Sequence, residues 1–322
     1  LKEGTEAIVP ALTFGATAAA VRLTGAEVRF ADIDDETLGL SAQTVDPLLT
    51  QETRALLPVD FAGQPCDWDD LNAIGAKPGI LSIADAAHAL GASYKEQSVG
   101  SLADMTCFSF HPVKAITTAE GGMTVTGSDS LADRLRKVRN HGINRDALSF
   151  SLPDQNSEDV GPWYYEIQDI GLNYRISDVH CALGLSQLDK LDMFVNRRSV
   201  LADRYTAAFS GSELIRTPQI KSDRSSAWHL YVIRLNLEAM VWSRLQVFEA
   251  LRDRGLGVQV HYMPLHLHPY YRDRYGHQRG DFPVAEAYYD AAITLPLFPA
   301  MTEGDVDDVV DIVSDVMKLA RR

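Results

Sequence analysis

Short apolar runs alternate with stretches of helical spacing through the first part of the chain, and this alternation limits the possible folds more than any other feature of the sequence. Strands that alternate with helices usually pair in parallel, because each helix returns the chain to the same end of the sheet. The sequence therefore predicts an α/β fold with a large, mainly parallel sheet. The predicted strands lie at residues 7–10, 27–33, 55–61, 79–86, 104–110 and 122–127.

A long helical stretch is predicted over residues 176–209. Apolar residues such as Val179 and Leu183 recur there at helical spacing. We interpret this stripe as core packing in a segment that connects two domains. The preceding residues 148–165 are polar and lack periodicity, so we predict a mobile loop there.

The last third of the chain has a different pattern, which predicts a smaller α+β domain. Thr302 is the expected N-cap of its final helix. We therefore predict a large domain over residues 1–208 and a small C-terminal domain over residues 209–322. The predicted elements of the small domain are strands at residues 229–235 and 257–262 and helices at residues 242–254 and 302–319.

The charge balance argues against nucleic acid and anionic membranes as partners. Thirty Lys and Arg residues against 44 Asp and Glu residues give a net charge of -14, the wrong sign for either surface. No run of about 18 apolar residues occurs, so we predict no membrane span. The three cysteines are odd in number and lack C-x-x-C spacing, which favours neither a disulfide framework nor a zinc site and predicts a cytoplasmic location.

Three residues whose side chains could take part in catalysis lie at or just after the ends of two predicted strands. Asp85 ends one apolar run, and Ser109 and Lys114 come at the end of another and just after it. Because parallel strands end at one edge of a sheet, where such folds bind ligands, one acid and one amine would face one pocket. The amine suits Schiff-base formation, the acid would keep a pyridine nitrogen protonated, and the hydroxyl of Ser109 would suit an anion. Taken singly, such an acid is more often a cap and such a lysine more often a surface residue.

Long motifs around these residues give them a family context. The chain contains, in this order, DAAHALGA, SFHPVKAITTAEGGMTVT and IGLNYRISDVHCALGLSQLDKL. With these motifs it resembles the DegT/DnrJ/EryC1/StrS family of pyridoxal-phosphate (PLP) sugar aminotransferases, which have the aspartate-aminotransferase fold, known as fold type I. The resemblance runs from about residue 5 to the C-terminus. It implies an enzyme with PLP as cofactor and a homodimer with shared active sites.

The resemblance also assigns roles to residues around the predicted pocket. Lys114 would hold the cofactor as a Schiff base and shuttle the proton, and Asp85 would bond the pyridine nitrogen. His88 would contact the ring or its phenolic oxygen, Phe14 would stack on the ring, and Ser109 would bind the phosphate.

Further residues are assigned by the resemblance to the neighbouring subunit or to the substrate. Asn173 resembles the residue that reaches the phosphate from the neighbouring subunit. Arg175 would meet a substrate carboxylate or diphosphate, a role that its planar fork suits. His141 is a substrate candidate, and the loop of His261 and Tyr262 is assigned to sugar recognition. A metal cluster of His261 with His266 and His268 is not predicted, because no carboxylate or cysteine completes it.

One expected element is absent from the sequence. The family places a Ser-Gly-Thr type phosphate loop at a helix N-terminus upstream of the strand that opens this chain, and no such loop precedes Phe14. We therefore expect the chain to be incomplete at its N-terminus, the alternative being a noncatalytic remnant. An incomplete chain is expected to bind PLP weakly.

Three other segments are similar to the branch that makes UDP-4-amino-4,6-dideoxy-N-acetyl-β-L-altrosamine in pseudaminic acid biosynthesis. The implied reaction transfers an amino group from an amino acid, expected to be L-glutamate, to the C4 ketone of a UDP-linked 4-keto-6-deoxy-N-acetylhexosamine. The alternatives are another nucleotide-sugar aminotransferase, of the perosamine or bacillosamine type, and a noncatalytic nucleotide-sugar-binding fragment. The three segments are PWYYEIQDIGLNYRISD, GVQVHYMPLHLHPYYR and FPVAEAYYDAAITLPLFP.

Overall fold

The computed structural model of the chain describes residues 1–151 and 161–322. Residues 152–160, in the middle of the predicted loop, lie outside this part. The strands are β1 (Glu6–Pro10), β2 (Glu27–Ala31), β3 (Thr53–Leu56), β4 (Leu81–Asp85), β5 (Ser93–Tyr94), β6 (Gln97–Ser98), β7 (Met105–Ser109), β8 (Gly122–Val125), β9 (Ile143–Asn144), β10 (Glu166–Ile167), β11 (Ile215–Arg216), β12 (Arg224–Ser225), β13 (Tyr231–Leu235) and β14 (Ala292–Leu295).

The helices alternate with these strands in the first part of the chain and surround them in the last. They are α1 (Gly15–Leu23), α2 (Ala42–Val45), α3 (Trp68–Gly75), α4 (Asp129–Val138), α5 (Asp178–Leu188), α6 (Leu191–Phe209), α7 (Arg244–Asp253), α8 (Pro269–Tyr275), α9 (Pro283–Ala291) and α10 (Glu303–Ala320). Among the described residues, no helix is both long and apolar enough to cross a membrane.

The first domain is built on a six-stranded sheet in the order β2-β1-β3-β4-β7-β8. Every neighbouring pair is parallel except β7 and β8, which are antiparallel. The prediction of a mainly parallel sheet is therefore confirmed. Its central strands are buried on both faces; residues Ala7, Ile8 and Val9 of β1 have no exposed surface, as expected for a sheet covered by helices on both sides.

The carboxyl edge of this sheet gathers the segments that carry chemistry. Strand β4 ends at Asp85, which pairs in register with Cys107 of β7, two residues before β7 ends at Ser109. On its other side Asp85 forms an isolated bridge with Val59, which follows β3. The residues after β1, β3, β4 and β7 therefore meet at one end of the sheet.

The second lobe is an antiparallel sheet, β11-β13-β14, packed against helices α6, α7 and α10. The final helix has the predicted cap, since the Thr302 side chain accepts a hydrogen bond from the Asp305 N–H. The C-terminal half of α6 packs in this core through Leu201 and Tyr205, so α6 runs across the division proposed after residue 208.

The strand predicted at residues 257–262 is wrong. Of these residues only Gln259 pairs with β14: its N–H donates to the Thr294 carbonyl at 3.2 Å, and its carbonyl accepts the Thr294 N–H at 2.7 Å. After this single pair the chain leaves the sheet edge and carries Tyr262 to the carboxyl edge of the large sheet. The one buried residue of this run, Val258, packs in the core of the second lobe without forming part of a strand.

The long helical stretch predicted over residues 176–209 is two helices, because α5 ends at Leu188 and α6 begins at Leu191. The interpretation of its stripe as core packing is wrong for α5, in which no residue is buried. Val179 is 79% exposed and Leu188 49% exposed. The apolar spacing is real, but the described residues leave the face that it marks largely exposed.

Candidate active site

A cavity of about 560 Å³ lies at the carboxyl edge of the large sheet. Its walls come from the start of α1, the segments that follow β4 and β7, and the loop that carries Tyr262. Several of the site residues predicted from the sequence lie together here. Those that line the cavity are Phe14, Asp85, His88, Ser109, Lys114 and Tyr262.

The amine in the cavity belongs to Lys114, which stands in a turn just after β7. The turn is closed by the Lys114 N–H, which donates to the carbonyl oxygen of His111 at 2.9 Å. Burial lowers the pKa of the Lys114 amine below its ordinary value, and the charge of Asp85 opposes this effect without cancelling it. A larger fraction of the amine is therefore neutral and nucleophilic at neutral pH than in an exposed lysine.

The carboxylate of Asp85 is held from the protein side by one donor on each oxygen. Oδ2 accepts the hydroxyl hydrogen of Thr17 at 2.6 Å, and Oδ1 accepts the backbone N–H of Ala87 at 3.1 Å. These bonds orient the acid at the end of β4, where it lines the same cavity as Lys114.

Histidines surround the amine and stay uncharged. Burial keeps the pKa values of His88 and His229 well below the ordinary value, with nearby Lys114 and His261 adding to the effect in both. The two rings are in contact, tilted by 38° at a centroid distance of 4.3 Å. The His88 Nδ1 accepts the Ala62 N–H at 3.3 Å, so in the neutral ring the proton sits on Nε2.

Aromatic rings form the outer wall of the cavity. Phe14, at the N-cap of α1, is 63% exposed although it is a large apolar ring. Its ring centroid lies 5.9 Å from that of Tyr262, and Tyr262 in turn lies 6.2 Å from Phe61. Burial, with the charge of Asp85 adding to it, raises the pKa of Tyr262 to about 12, so its hydroxyl keeps its proton at neutral pH.

Ser109 and His261 lie at opposite sides of this site. The Ser109 hydroxyl, at the last position of β7, accepts the His111 N–H at 3.4 Å. His261 is paired through Nδ1 with the Thr294 hydroxyl at 2.8 Å, and burial followed by the charge of Lys114 lowers its pKa. His261 therefore belongs to the surroundings of the amine without being part of the cavity wall.

Three residues assigned by resemblance lie elsewhere in this chain. Asn173 forms an isolated bridge with Asn140, and Arg175 donates to the side-chain oxygen of Asn140 at 2.7 Å. His141 is exposed and its N–H donates to the Leu172 carbonyl at 3.0 Å. None of Asn173, Arg175 and His141 lines the cavity.

The histidines that follow Tyr262 have separate surroundings. His266 has no exposed surface and bonds Glu286 through Nε2 at 2.9 Å, whereas His268 lies at the N-cap of α8. In the part of the chain that the structure describes, no group of three or more His, Cys, Asp and Glu side chains is arranged to hold a metal ion.

Sequence reasoning missed two groups beside the site. Thr17, in the first turn of α1, bonds Asp85 directly. His229 packs on His88, with its Nδ1 buried and unpaired among the described residues. A histidine at the start of an apolar strand gives no sequence signal, because only the fold brings it beside the loop after β4.

The residues of the cavity fit a phosphorylated pyridine cofactor. The site offers an amine of lowered pKa, a carboxylate fixed by two donors, and neutral imidazoles. It also presents the exposed ring of Phe14, whose apolar face lacks a cover within the chain, and the hydroxyl of Ser109. These groups are the ones that a pyridine ring with an aldehyde and a phosphate requires.

Comparison with known proteins places the chain in a family. Residues 1–314 match the family model described as the DegT/DnrJ/EryC1/StrS aminotransferase family. The spore coat polysaccharide biosynthesis protein SpsC of Bacillus subtilis is 39% identical over 316 residues, which are 98% of this chain and 80% of that protein. An uncharacterised protein of Methanocaldococcus jannaschii is also 39% identical, over 99% of this chain and 80% of its own length.

Solved structures agree. A putative sugar aminotransferase of Streptococcus pneumoniae, in its PMP form, superimposes with a TM-score of 0.88 at 30% identity, over 99% of this chain and 83% of that one. Helicobacter pylori PseC, described as an aminotransferase of pseudaminic acid biosynthesis, gives a TM-score of 0.87 at 27% identity, over 98% and 81% of the two chains. The chain therefore belongs to the DegT/DnrJ/EryC1/StrS family and is a PLP-dependent sugar aminotransferase of fold type I.

Proposed function

We propose that this protein transfers an amino group from L-glutamate to the C4 ketone of a UDP-linked 4-keto-6-deoxy-N-acetylhexosamine, as in pseudaminic acid biosynthesis. The observation that carries the amino-transfer part is the presence of the Lys114 amine and the Asp85 carboxylate in one cavity under the exposed ring of Phe14. The sugar is supported by the similarity of three sequence segments to that branch and by the solved neighbour described for the same pathway.

Lys114 is the catalytic base in this proposal. Bound PLP supplies an electron sink that makes the α-hydrogen of the amino donor acidic. The Lys114 amine holds the cofactor through its neutral form and then carries the proton from the donor's α-carbon. Its partial burial supports this role, because desolvation favours the neutral amine that must both attack and accept a proton.

Asp85 is the acid that keeps the pyridine nitrogen protonated. A carboxylate with one donor on each oxygen is held in one orientation, and it can pair with a proton on the ring nitrogen at the end of β4. His88 contacts the ring or its phenolic oxygen, Phe14 covers the ring face and Ser109 takes part in holding the phosphate. Their positions around one cavity support these assignments.

The sugar side of the site is assigned to His261 and Tyr262. Tyr262 lines the cavity and keeps its hydroxyl proton, so it can donate a hydrogen bond to a ketone or hydroxyl oxygen. His261 is anchored to Thr294 and remains neutral beside Lys114. A neutral imidazole and a protonated phenol suit the recognition of an uncharged hexose.

A homodimer with shared sites is the second part of the proposal. Asn173 and Arg175 are exposed, and they lie near the uncovered helix α5. In a two-fold dimer, each subunit would present Asn173 to the phosphate site and Arg175 and His141 to the substrate of its neighbour. The exposed apolar face of α5 supports such an interface, because a second copy would remove it from water.

Another nucleotide-4-keto-6-deoxysugar is the alternative substrate. It is favoured by the spore coat polysaccharide protein of Bacillus subtilis, which is more similar in sequence to this chain than the pseudaminic acid neighbour is. Both substrates use the same amine and acid, so the difference lies in the sugar and nucleotide contacts.

A substrate panel tests the proposal. The purified protein is mixed with PLP, L-glutamate and a set of UDP- and dTDP-linked 4-keto sugars, and the products are identified by NMR. We expect a C4 amine on the UDP-linked N-acetylhexosamine, and none with the Lys114→Ala variant. Turnover of dTDP-linked sugars alone would favour the alternative substrate, and turnover of none of the sugars would contradict the proposed reaction.

A further inference from the structure

A chain of hydroxyl groups lies behind the Asp85 carboxylate. Thr17 donates its hydroxyl hydrogen to Asp85 Oδ2 at 2.6 Å, and the hydroxyls of Thr13 and Thr17 are 2.8 Å apart. Thr13 is 1% exposed and Thr17 5% exposed, so water does not compete strongly for these bonds. A hydroxyl has one hydrogen, and that of Thr17 is used on Asp85. The direction of the second bond therefore follows: Thr13 donates to Thr17.

The position of these hydroxyls follows from the start of α1. Phe14 is the N-cap and Gly15 the first residue of the helix, so Thr17 lies in the first turn, four residues after Thr13. Thr13 precedes the N-cap and lies outside the helix, and its hydroxyl meets that of Thr17 at the helix start. The first turn also carries the partial positive charge of the helix, which favours a carboxylate beside it.

A second acid beside the site makes these donors important. Asp60 is fully buried after β3, and its N–H donates to the Asp85 carbonyl at 3.1 Å. Its Oδ1 accepts from the Cys66 N–H and the Trp68 indole, but its Oδ2 has no partner among the described residues. Burial raises the pKa of Asp60 to about 7, with the charge of Asp85 contributing. Asp85 differs from this neighbour because each of its carboxylate oxygens has a donor.

We propose that Thr17 is a positioning residue of the reaction: its hydroxyl, oriented by Thr13, fixes the orientation of the Asp85 carboxylate toward the cavity. This inference rests on the role proposed above for Asp85. The same helix start presents the ring of Phe14 to the cavity. One short segment, residues 13–17, therefore sets both the covering ring and the orientation of the acid.

The test compares two substitutions of Thr17 that differ in the hydroxyl. Thr17→Val keeps the volume and shape and removes the donor, whereas Thr17→Ser keeps the donor. We expect Thr17→Val to lower kcat about 10- to 100-fold with KM for the amino donor changed less than about twofold, and Thr17→Ser to recover most of the loss. The affinity of the apoprotein for PLP, measured by fluorescence titration, should weaken in Thr17→Val and return in Thr17→Ser.

A double-mutant cycle separates this inference from the proposed function. Because Thr17 acts through Asp85, Thr17→Val should add nothing in an Asp85→Asn background, whereas multiplied losses would overturn the positioning role. If Asp85→Asn is impaired and Thr17→Val is not, the inference fails and the role of Asp85 stands. If Asp85→Asn equals the wild type, the role of Asp85 itself fails.

Thr13→Val provides a second variant should Thr17→Val fold poorly. It removes only the donor to Thr17 and leaves the bond to Asp85, so we expect a smaller loss of kcat, about two- to fivefold. A loss in Thr13→Val as large as in Asp85→Asn would contradict the order of the chain, and so would an unchanged kcat together with unchanged PLP affinity.

Discussion

The cavity and the arm of this protein both contain residues singled out in the sequence, but they differ in how completely a single chain buries and pairs their side chains. We define the arm as the described part of residues 129–188, which contains α4, β9, β10 and α5. The cavity lies on a sheet whose strands are buried, and the groups in it are held by named donors. In the arm, neither α4 nor α5 buries a single residue, and Ile170 is 91% exposed.

The difference teaches where the boundary of the functional unit lies. Apolar side chains are exposed on β10 and α5, as at Ile167 and Val179, and exposed apolar faces of this kind mark contact surfaces. The residues assigned to the cofactor itself lie in the cavity, with the exception of Asn173, whereas Asn173, Arg175 and His141 lie on the arm. The division of the assigned roles therefore follows the division between the buried cavity and the exposed arm.

The largest expected effect is on the cavity side. Lys114→Ala should lower turnover at least about a thousandfold, because it removes both the amine that holds the cofactor and the base. Wild-type protein with PLP should show a visible absorption band, and borohydride should trap the label on the peptide that contains Lys114. A label on any other lysine peptide would contradict the assignment of Lys114 as the residue that holds the cofactor. Lys190, which lies outside the cavity, provides the matched control Lys190→Ala, with unchanged turnover.

Mixing two inactive variants tests the arm. Lys114→Ala and Asn173→Ala each lack one half of the proposed shared site, and a mixed dimer contains one intact site. Random exchange makes about half of the dimers mixed, so we expect about a quarter of the wild-type activity to return. Sedimentation equilibrium provides the accompanying measurement: a fully active monomer would show that the arm has no such role.

Paired truncations compare the two regions by stability. Leu201→Ala, at a position with no exposed surface in the core of the second lobe, should cost about 2–5 kcal/mol of unfolding free energy at any protein concentration. Leu185→Ala, at a position 67% exposed on α5, should cost little in the monomer and more as the concentration rises toward the dimer. Denaturant unfolding at two concentrations checks both, and a large cost for Leu185→Ala that is independent of concentration would mean that α5 is covered within the chain.

The smallest expected effect concerns pH. Asp35 joins the two lobes through Arg234 and Arg216; burial opposes its ionisation, but the hydrogen bonds of these arginines outweigh it and hold its pKa below the ordinary value of 3.8. A carboxyl group whose pKa is lower in the folded than in the unfolded protein stabilises the fold at pH values above its unfolded-state pKa. This stabilisation is lost as the pH falls through the folded-state pKa. The side chain is 47% exposed, so we expect Asp35→Asn to cost less than about 1 kcal/mol at pH 7 and nothing at pH 2.

The matched control for this effect lies in the arm. Asp169 pairs with Arg134 only at 3.9 Å, with both side chains more than half exposed. Asp169→Asn should therefore leave the unfolding free energy unchanged at both pH values. An equal loss in Asp35→Asn and Asp169→Asn would mean that the pairs between the lobes are no stronger than surface pairs.

Some parts of the structure could be predicted from local sequence because local physics decides them. The six strands of the large sheet fall within or close to the predicted apolar runs. The central strand β1 shows the reason, since a strand covered on both faces must be apolar along its whole length. Thr302 was predictable as an N-cap because its hydroxyl reaches an N–H three residues away. The meeting of Asp85 and Lys114 followed from the rule that parallel strands end at one edge.

Other parts depend on contacts that the sequence order does not contain. Residues 257–262 resembled a strand, but only Gln259 pairs with β14, and the one buried residue, Val258, packs in the core of the second lobe. The apolar stripe on α5 predicted the helix correctly but its burial in the core wrongly. Spacing marks an apolar face without indicating which surface covers it.

The sequence by itself determined the chemistry of this protein: its motifs fixed the family, the cofactor and the amine and acid in the pocket. Only the tertiary structure decided how those groups are controlled. It brought the hydroxyl of Thr17 from α1 to the carboxylate at the end of β4, and the ring of His229 from the second lobe to that of His88. The physical reason is that a pKa or an orientation depends on neighbours within a few ångströms, and in a folded chain such neighbours come from residues far apart in sequence.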